Sequence, residues 1–183
     1  MVSESEAAAS LVALCEVSHL IDGSLKQFDC GNKDLNKFTR SKLIKRDEQG
    51  KVKAIAAIVG SELAAYIALA PHQLASEKQL TADRYSTVPV LMIEQIATQT
   101  KFQGRGIAKR LIARALSSAI SMSELGGLTG VALWAHPDAV SFYSQLGFVT
   151  LQTKPWEKTE LTLLFIHIDT IKDALGVAAL IGA

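Results

Sequence analysis

At 183 residues, 49% of them apolar, the chain is long enough to bury a core without a metal or disulfide staple. Lysine and arginine total 19 against 18 acidic residues, a net charge of +1, so no global field selects a polyanionic partner. Cys15 and Cys30 offer neither a zinc-ligand spacing nor a disulfide framework, and no metal site is expected.

Acids stand among the first residues, where a signal peptide needs a basic start, and the apolar tail 174–183 is shorter than the ~20 residues that span a bilayer. These features point to a cytoplasmic protein with no membrane partner. The tail reads as a helix, packed on the domain or used in a homodimer.

In chain order, 11–17 reads as a first strand. Asn32 caps a helix over 33–45, with Leu35, Phe38, the stem of Lys42 and Leu43 on one face. A turn at 47–50 leads to a strand over 51–59, a hairpin at Gly60-Ser61 and a returning strand over 62–70 that Pro71 ends. A polar connection, 77–83, precedes a largely apolar strand over 88–98, suited to the middle of a sheet.

Ile107, Leu111, Ile112, Ala115, Leu116, Ala119 and Ile120 then recur at helical spacing, predicting a helix from 104 to about 123 that Gly126-Gly127 breaks. A strand over 131–135, a short helix over 137–146 and strands over 148–151 and 160–168 complete the order. This is an α/β fold with a mixed sheet of six or seven strands flanked by helices, in a single domain with a core of about 11–168 and a helical tail over 170–183.

The segment Gln103-Gly104-Arg105-Gly106-Ile107-Ala108 sits between the central strand and the long helix. Two glycines let the backbone turn sharply and approach a ligand. The first turn of the helix has unpaired N–H groups at the positive end of its dipole, which makes an anion site fit for a pyrophosphate. Lys101, Arg105, Lys109 and Arg110 add positive charge. A Walker loop is excluded, because no Gly-Lys-Ser/Thr follows. A dinucleotide fingerprint is excluded too, since the third glycine is missing and the turn follows about the fourth strand. What remains is Gln-x-x-Gly-x-Ala, or simply a glycine turn entering a core helix.

That pattern resembles the cofactor signature of the GNAT superfamily of acyl-CoA N-acyltransferases. A second segment, His136-Pro-Asp-Ala139-Val-Ser-Phe142-Tyr143-Ser-Gln-Leu146-Gly147-Phe148, resembles the family's second signature, with His136 where asparagine is usual. The resemblance implies a GNAT-type, mostly antiparallel sheet and acetyl-CoA as co-substrate. It implies that the backbone from Gly104 to Ala108 holds the pyrophosphate, with Gln103, Arg105 and Lys109 around it. The pantetheine arm then pairs with the backbone of Ile96, Ala97 and Thr98 as an added strand.

Acyl transfer to an amine needs a base, an oxyanion donor and an acid for the leaving thiolate. Tyr143 is the candidate acid, because a phenol ordinarily titrates near 10, close to an alkyl thiol. Glu94 is the only carboxylate on the central strand and shares a face with Met92, Ile96 and Thr98 in the absence of a bulge. It is the candidate base, directly or through water. His72 and His136 are further candidates at the mouth of a cleft, and a backbone N–H near Ile96 is the candidate oxyanion donor.

The acceptor signal lies earlier. Phe28-Asp29-Cys30-Gly31-Asn32-x-x-Leu35-x-x-Phe38, Tyr66-Ile-Ala-Leu-Ala70 and Arg84-Tyr85-x-x-Val88-Pro89-Val90 resemble the GNAT toxins of bacterial toxin–antitoxin pairs. That resemblance implies acetylation of the amino group of aminoacyl-tRNA and neutralisation by a small antitoxin protein. Lys26, Lys33, Lys37, Arg40, Lys42, Lys45 and Arg46 against Asp29 and Asp34 form a basic run suited to phosphates. A small-molecule amine or a protein N-terminus is the alternative acceptor. A non-catalytic acyl-CoA-binding module is the alternative of another class.

Overall fold

The computed structural model describes residues 9–75 and 87–181, with the side chains of Asp22 and 177–181 excepted. Its elements in order are β1 (Ser10–Ala13), α1 (Leu14–Leu25), α2 (Lys33–Ser41), α3 (Leu43–Glu48), β2 (Lys53–Val59) and β3 (Glu62–Ala75). After these come β4 (Thr87–Thr98), a 3-10 turn (Thr100–Phe102), α4 (Ile107–Gly126), β5 (Gly130–Ala135), α5 (Pro137–Gln145), β6 (Val149–Trp156), β7 (Thr159–His167) and α6 (Ile168–Ile181). The strands form one seven-stranded sheet in the order β1-β2-β3-β4-β5-β7-β6. β4 and β5 pair parallel, whereas β1–β2, β2–β3, β5–β7 and β6–β7 pair antiparallel. The α/β class, the mostly antiparallel sheet and its upper strand count are as expected from the sequence.

The details depart from expectation in instructive places. The strand expected over 11–17 stops at Ala13, and Leu14 opens a helix whose Leu14, Ile21 and Leu25 are buried. Asn32 does cap α2, its side chain accepting from the N–H groups of Asp34 and Leu35. The expected single helix over 33–45 is broken at Lys42, where α3 begins anew and takes in Asp47 and Glu48 from the expected turn.

The inward face is Asn36, Thr39, Leu43 and Asp47, while Lys42 is exposed and Leu35 and Phe38 are half-buried. Each polar member has a partner, as burial demands. Thr39 Oγ1 is hydrogen-bonded to Tyr66 Oη, 2.9 Å away, and Asp47 Oδ1 accepts from the Ala54 N–H at 2.9 Å.

Pro71 does not end β3, which runs on to Ala75. The β2–β3 ladder finishes at Lys53–Leu69, so the missing proline N–H falls where β2 has no partner to offer. The connection expected over 77–83 lies outside the described residues. Helix α4 starts at Ile107 rather than 104, because Gly104 and Gly106 have φ of +75° and +74°. It ends through Gly127 (φ +71°), whose N–H bonds to the Ser123 carbonyl. β6 is longer than the expected 148–151, and β7 begins and ends one residue earlier than 160–168. Among the described residues no helix is long and apolar enough to cross a membrane.

The chain divides into two compact units, one holding the described residues up to Leu69 with Gln95–Arg114, the other Ala70–Glu94 with the described residues from Ala115. In the first, Phe28, Leu43, Leu63, Tyr66, Leu111 and Ile112 are among the fully buried side chains, and the rings of Phe28 and Tyr66 lie 5.9 Å apart. In the second, Val88, Val90, Met92, Ala132, Leu163 and Phe165 form a buried cluster, with Leu74, Trp134 and Leu151 packed against it.

Gly130 opens β5 there. A Cβ on it would lie 2.3 Å from the Ile166 carbonyl oxygen and 2.6 Å from the Phe165 ring. Gly130→Ala should therefore destabilise the protein by roughly 3 kcal/mol or more through overpacking against backbone. Chemical denaturation checks this, and a midpoint equal to that of the unaltered protein would refute it.

Candidate active site

In the first unit, the end of β4, the 3-10 turn and the glycine turn run consecutively into α4. The glycine turn is pinned from below. Gln103 Nε2 donates to the carbonyls of Thr98 (3.1 Å) and Cys30 (3.2 Å). Thr100 donates its N–H (2.9 Å) and hydroxyl (3.0 Å) to the Asp29 carbonyl. Gln99 is buried, its N–H donating to the Ala64 carbonyl (2.8 Å) and its side-chain amide to the Leu63 carbonyl (2.7 Å).

The loop 28–32 that takes these bonds is itself tied down. Asp29 Oδ1 accepts from the Gly31 N–H (2.9 Å) and from Asn36 Nδ2 (2.7 Å), and the Cys30 N–H donates to Asn36 Oδ1 (2.9 Å). The Gly31 and Asn36 bonds, with Arg40 nearby, hold the Asp29 carboxyl below its usual range. Arg40 donates Nε and Nη2 to the Phe28 carbonyl at 2.9 and 2.6 Å. The segment singled out for its toxin-like spacing is thus the buttress of the glycine turn.

Gly104 and Gly106 both adopt the left-handed conformation, and a Cβ on either would meet nothing within 4 Å. The space on the Cβ side of both glycines is open among the described residues. Of the four cations expected there, Lys101 is committed to Glu62 at 2.6 Å, with its ammonium 5.2 Å from the Phe102 ring centroid. The Arg105 guanidinium lies 5.5 Å from the same ring, while Lys109 and Arg110 are exposed. Ile107 and Ala97 are buried, and Ile96, Thr98 and Ala108 half-buried. The β4–β5 ladder covers only Val90–Ile93 with Gly130–Leu133, although β4 continues to Thr98. The β4 backbone beyond Ile93 is therefore outside that ladder, as the added-strand expectation requires.

In the second unit, Tyr143 on α5 is buried, its ring edge-on to Phe142 (5.1 Å) and Phe148 (5.6 Å). Among the described residues its hydroxyl makes no hydrogen bond, and burial pushes its pKa up to about 12. Glu94 is half-buried and its Oε1 lies 2.6 Å from His72 Nε2. His136 is exposed at the cap of α5 and its side chain makes no capping bond. Among the described residues no cluster of His, Cys, Asp or Glu could hold a metal ion. The contacts of Asp29, Asn36 and Thr100 were not legible in the sequence, because they join residues up to 71 positions apart.

The described geometry is a glycine turn that enters α4 after a central strand whose pairing with β5 stops at Ile93, the arrangement expected from the sequence for an acyl carrier with a phosphate tail. A family model described as an acetyltransferase (GNAT) domain matches residues 24–165, and the chain belongs to that family of acetyl-CoA-dependent N-acetyltransferases. A tRNA-acetylating toxin of Mycobacterium tuberculosis (strain ATCC 25618 / H37Rv) is 24% identical over 132 residues, 70% of this chain and 80% of the relative. Among solved structures, a bacterial toxin matches with a TM-score of 0.80 and 27% identity, over 92% of this chain and 96% of that one. AtaT complexed with acetyl-methionyl-tRNAfMet matches with a TM-score of 0.73 and 22% identity, over 91% of this chain and 99% of the other.

Proposed function

We propose that this enzyme, a single N-acetyltransferase domain, transfers the acetyl group of acetyl-CoA to the amino group of an aminoacyl-tRNA. It acts in the cytoplasm as the toxin of a toxin–antitoxin pair. The observation that carries the reading is the loop 28–32, a toxin-like segment whose hydrogen bonds buttress the glycine turn. The similarity to a tRNA-acetylating toxin over most of that protein's length supports the same reading.

In this reading the N–H groups from Gly104 to Ala108 receive the pyrophosphate at the positive end of α4, with Gln103 holding the turn and Arg105 and Lys109 adding charge. The backbone of Ile96, Ala97 and Thr98 takes the pantetheine arm, and an N–H near Ile96 meets the oxyanion. Tyr143 protonates the departing thiolate, and Glu94 belongs to the path by which the amine loses its proton. A small antitoxin protein is the neutralising partner, and a second copy of the chain a further one.

The tRNA backbone is met by the exposed lysines of the early helices, Lys33, Lys37, Lys42 and Lys45. Arg40, expected among them, is exposed and spends Nε and Nη2 on the Phe28 carbonyl while keeping its charge. Charge reversal at Lys37 and Lys42 should weaken binding of charged tRNA and flatten its salt dependence by about one unit of slope for each phosphate no longer neutralised. Filter binding across a salt series measures this. The deciding experiment is transfer of label from acetyl-CoA into charged tRNA beside a panel of free amines. Label in aminoacyl-tRNA is the expected result, and label confined to free amines would replace the toxin reading with a small-molecule one.

A further inference from the structure

Two residues that each look like a lone candidate base in the sequence are joined in the fold. His72 on β3 and Glu94 on β4 meet at 2.6 Å, Nε2 to Oε1, with side chains 43% and 25% exposed. Their place on the sheet follows from their neighbours. Leu74 and Met92 both pack on the apolar cluster of the second unit, and His72 lies two residues before the one, Glu94 two after the other. Alternation along a strand puts all four on one face, with the pair as its polar end. Glu94 is also the first residue of β4 past the end of the β4–β5 ladder.

We propose that His72 is the proton acceptor of the acetyl transfer and that Glu94 is the residue that orients it. The inference rests on the acetyltransferase reading above and names the group that performs one of its steps. A carboxylate accepts and does not donate, so the Glu94 contact holds the neutral ring with its proton on Nε2 and leaves the Nδ1 lone pair free. The ion pair that His72 makes among the described residues is with Glu94.

As the amine nitrogen attacks the thioester carbonyl, the C–N bond forms and the carbonyl pair moves to oxygen. The proton that the nitrogen sheds passes to His72 Nδ1. On collapse the C–S bond breaks and the sulfur leaves with a proton from Tyr143. Solvent takes the proton from His72 and restores that of Tyr143, so amine and thioester give amide and thiol.

The test is the pH profile of kcat at saturating acceptor, where ionisation of the free amine drops out, for the unaltered enzyme, His72→Gln and Glu94→Gln. Glutamine at 72 can still donate to Glu94 but takes up no proton. It should lose about 100-fold in kcat, together with the acid-side limb of the profile, while binding acetyl-CoA normally. Glu94→Gln should keep that limb but lower kcat, because its side-chain amide can set either a donor or an acceptor against Nε2 and no longer fixes the tautomer. A His72→Gln enzyme that keeps both rate and limb overturns the proposal.

Long-range 1H–15N spectra of the unaltered protein, which need no variant, should show neutral His72 protonated at Nε2; protonation at Nδ1 would also overturn it. Acetylation of free amines but not tRNA would defeat only the acceptor reading, and the same profiles would be run on that amine. An enzyme that acetylates no amine would defeat both.

Discussion

Tyr143→Phe is expected to lower kcat by about 100- to 1,000-fold, in the range of a lost general acid, and to leave acetyl-CoA affinity unchanged. The ring sits edge-on between Phe142 and Phe148, and this packing needs no hydroxyl. Among the described residues the oxygen has no hydrogen-bond partner to orphan, so the variant should fold with an unaltered melting temperature. Turnover unchanged in a folded variant would remove Tyr143 from the mechanism.

Burial disfavours the phenolate, so the hydroxyl keeps its proton up to about pH 12. Any alkaline fall in kcat that sets in well below that belongs to another group. The same shift has a sign for stability. Tyr143, and Tyr66 whose pKa burial also raises, hold their protons where an unfolded chain would release them above about pH 10. The native state then binds more protons than the unfolded one, so stability present below pH 10 is lost as pH rises through the folded values.

The class of the fold was legible because the long helix and the central strand carry unambiguous periods. Leu111, Ile112, Ala115 and Ala119 are all buried as the 3.6-residue spacing requires. Where the reading failed, the physical signal was absent or carried by distant partners. In 11–17 the apolar run continues while its period changes at Leu14, so helix α1 looks like an extension of β1. The inward face of α2 holds Asn36 and Thr39, which read as solvent-facing until Asp29 and Tyr66 are seen opposite them. β6 is exposed or half-buried along its whole length and so shows no alternation to mark its end. In the site, the glycine turn and Tyr143 stand in contiguous motifs. The coupling of His72 to Glu94 depends on two strands meeting and has no local signature.

Gly106→Val should abolish acetyl-CoA binding, with an affinity loss of at least 100-fold, and the structure separates two reasons for it. The first is conformational. Gly106 has φ of +74°, where a β-branched residue pays on the order of 1–2 kcal/mol or more, enough to pull the turn out of shape. The second is occupancy. A Cβ at 106 meets nothing within 4 Å, so the fold itself offers no clash, and the space it would enter is the open side of the turn assigned to the pyrophosphate.

Gly106→Asn tells them apart, because asparagine tolerates the left-handed region yet still carries a side chain. If the turn binds phosphate as proposed, asparagine should bind acetyl-CoA nearly as poorly as valine while melting close to the unaltered protein. Recovery of binding with asparagine would place the whole effect in backbone strain and leave the open side of the turn unassigned. Normal binding by the valine variant would go further and move the pyrophosphate away from this turn altogether.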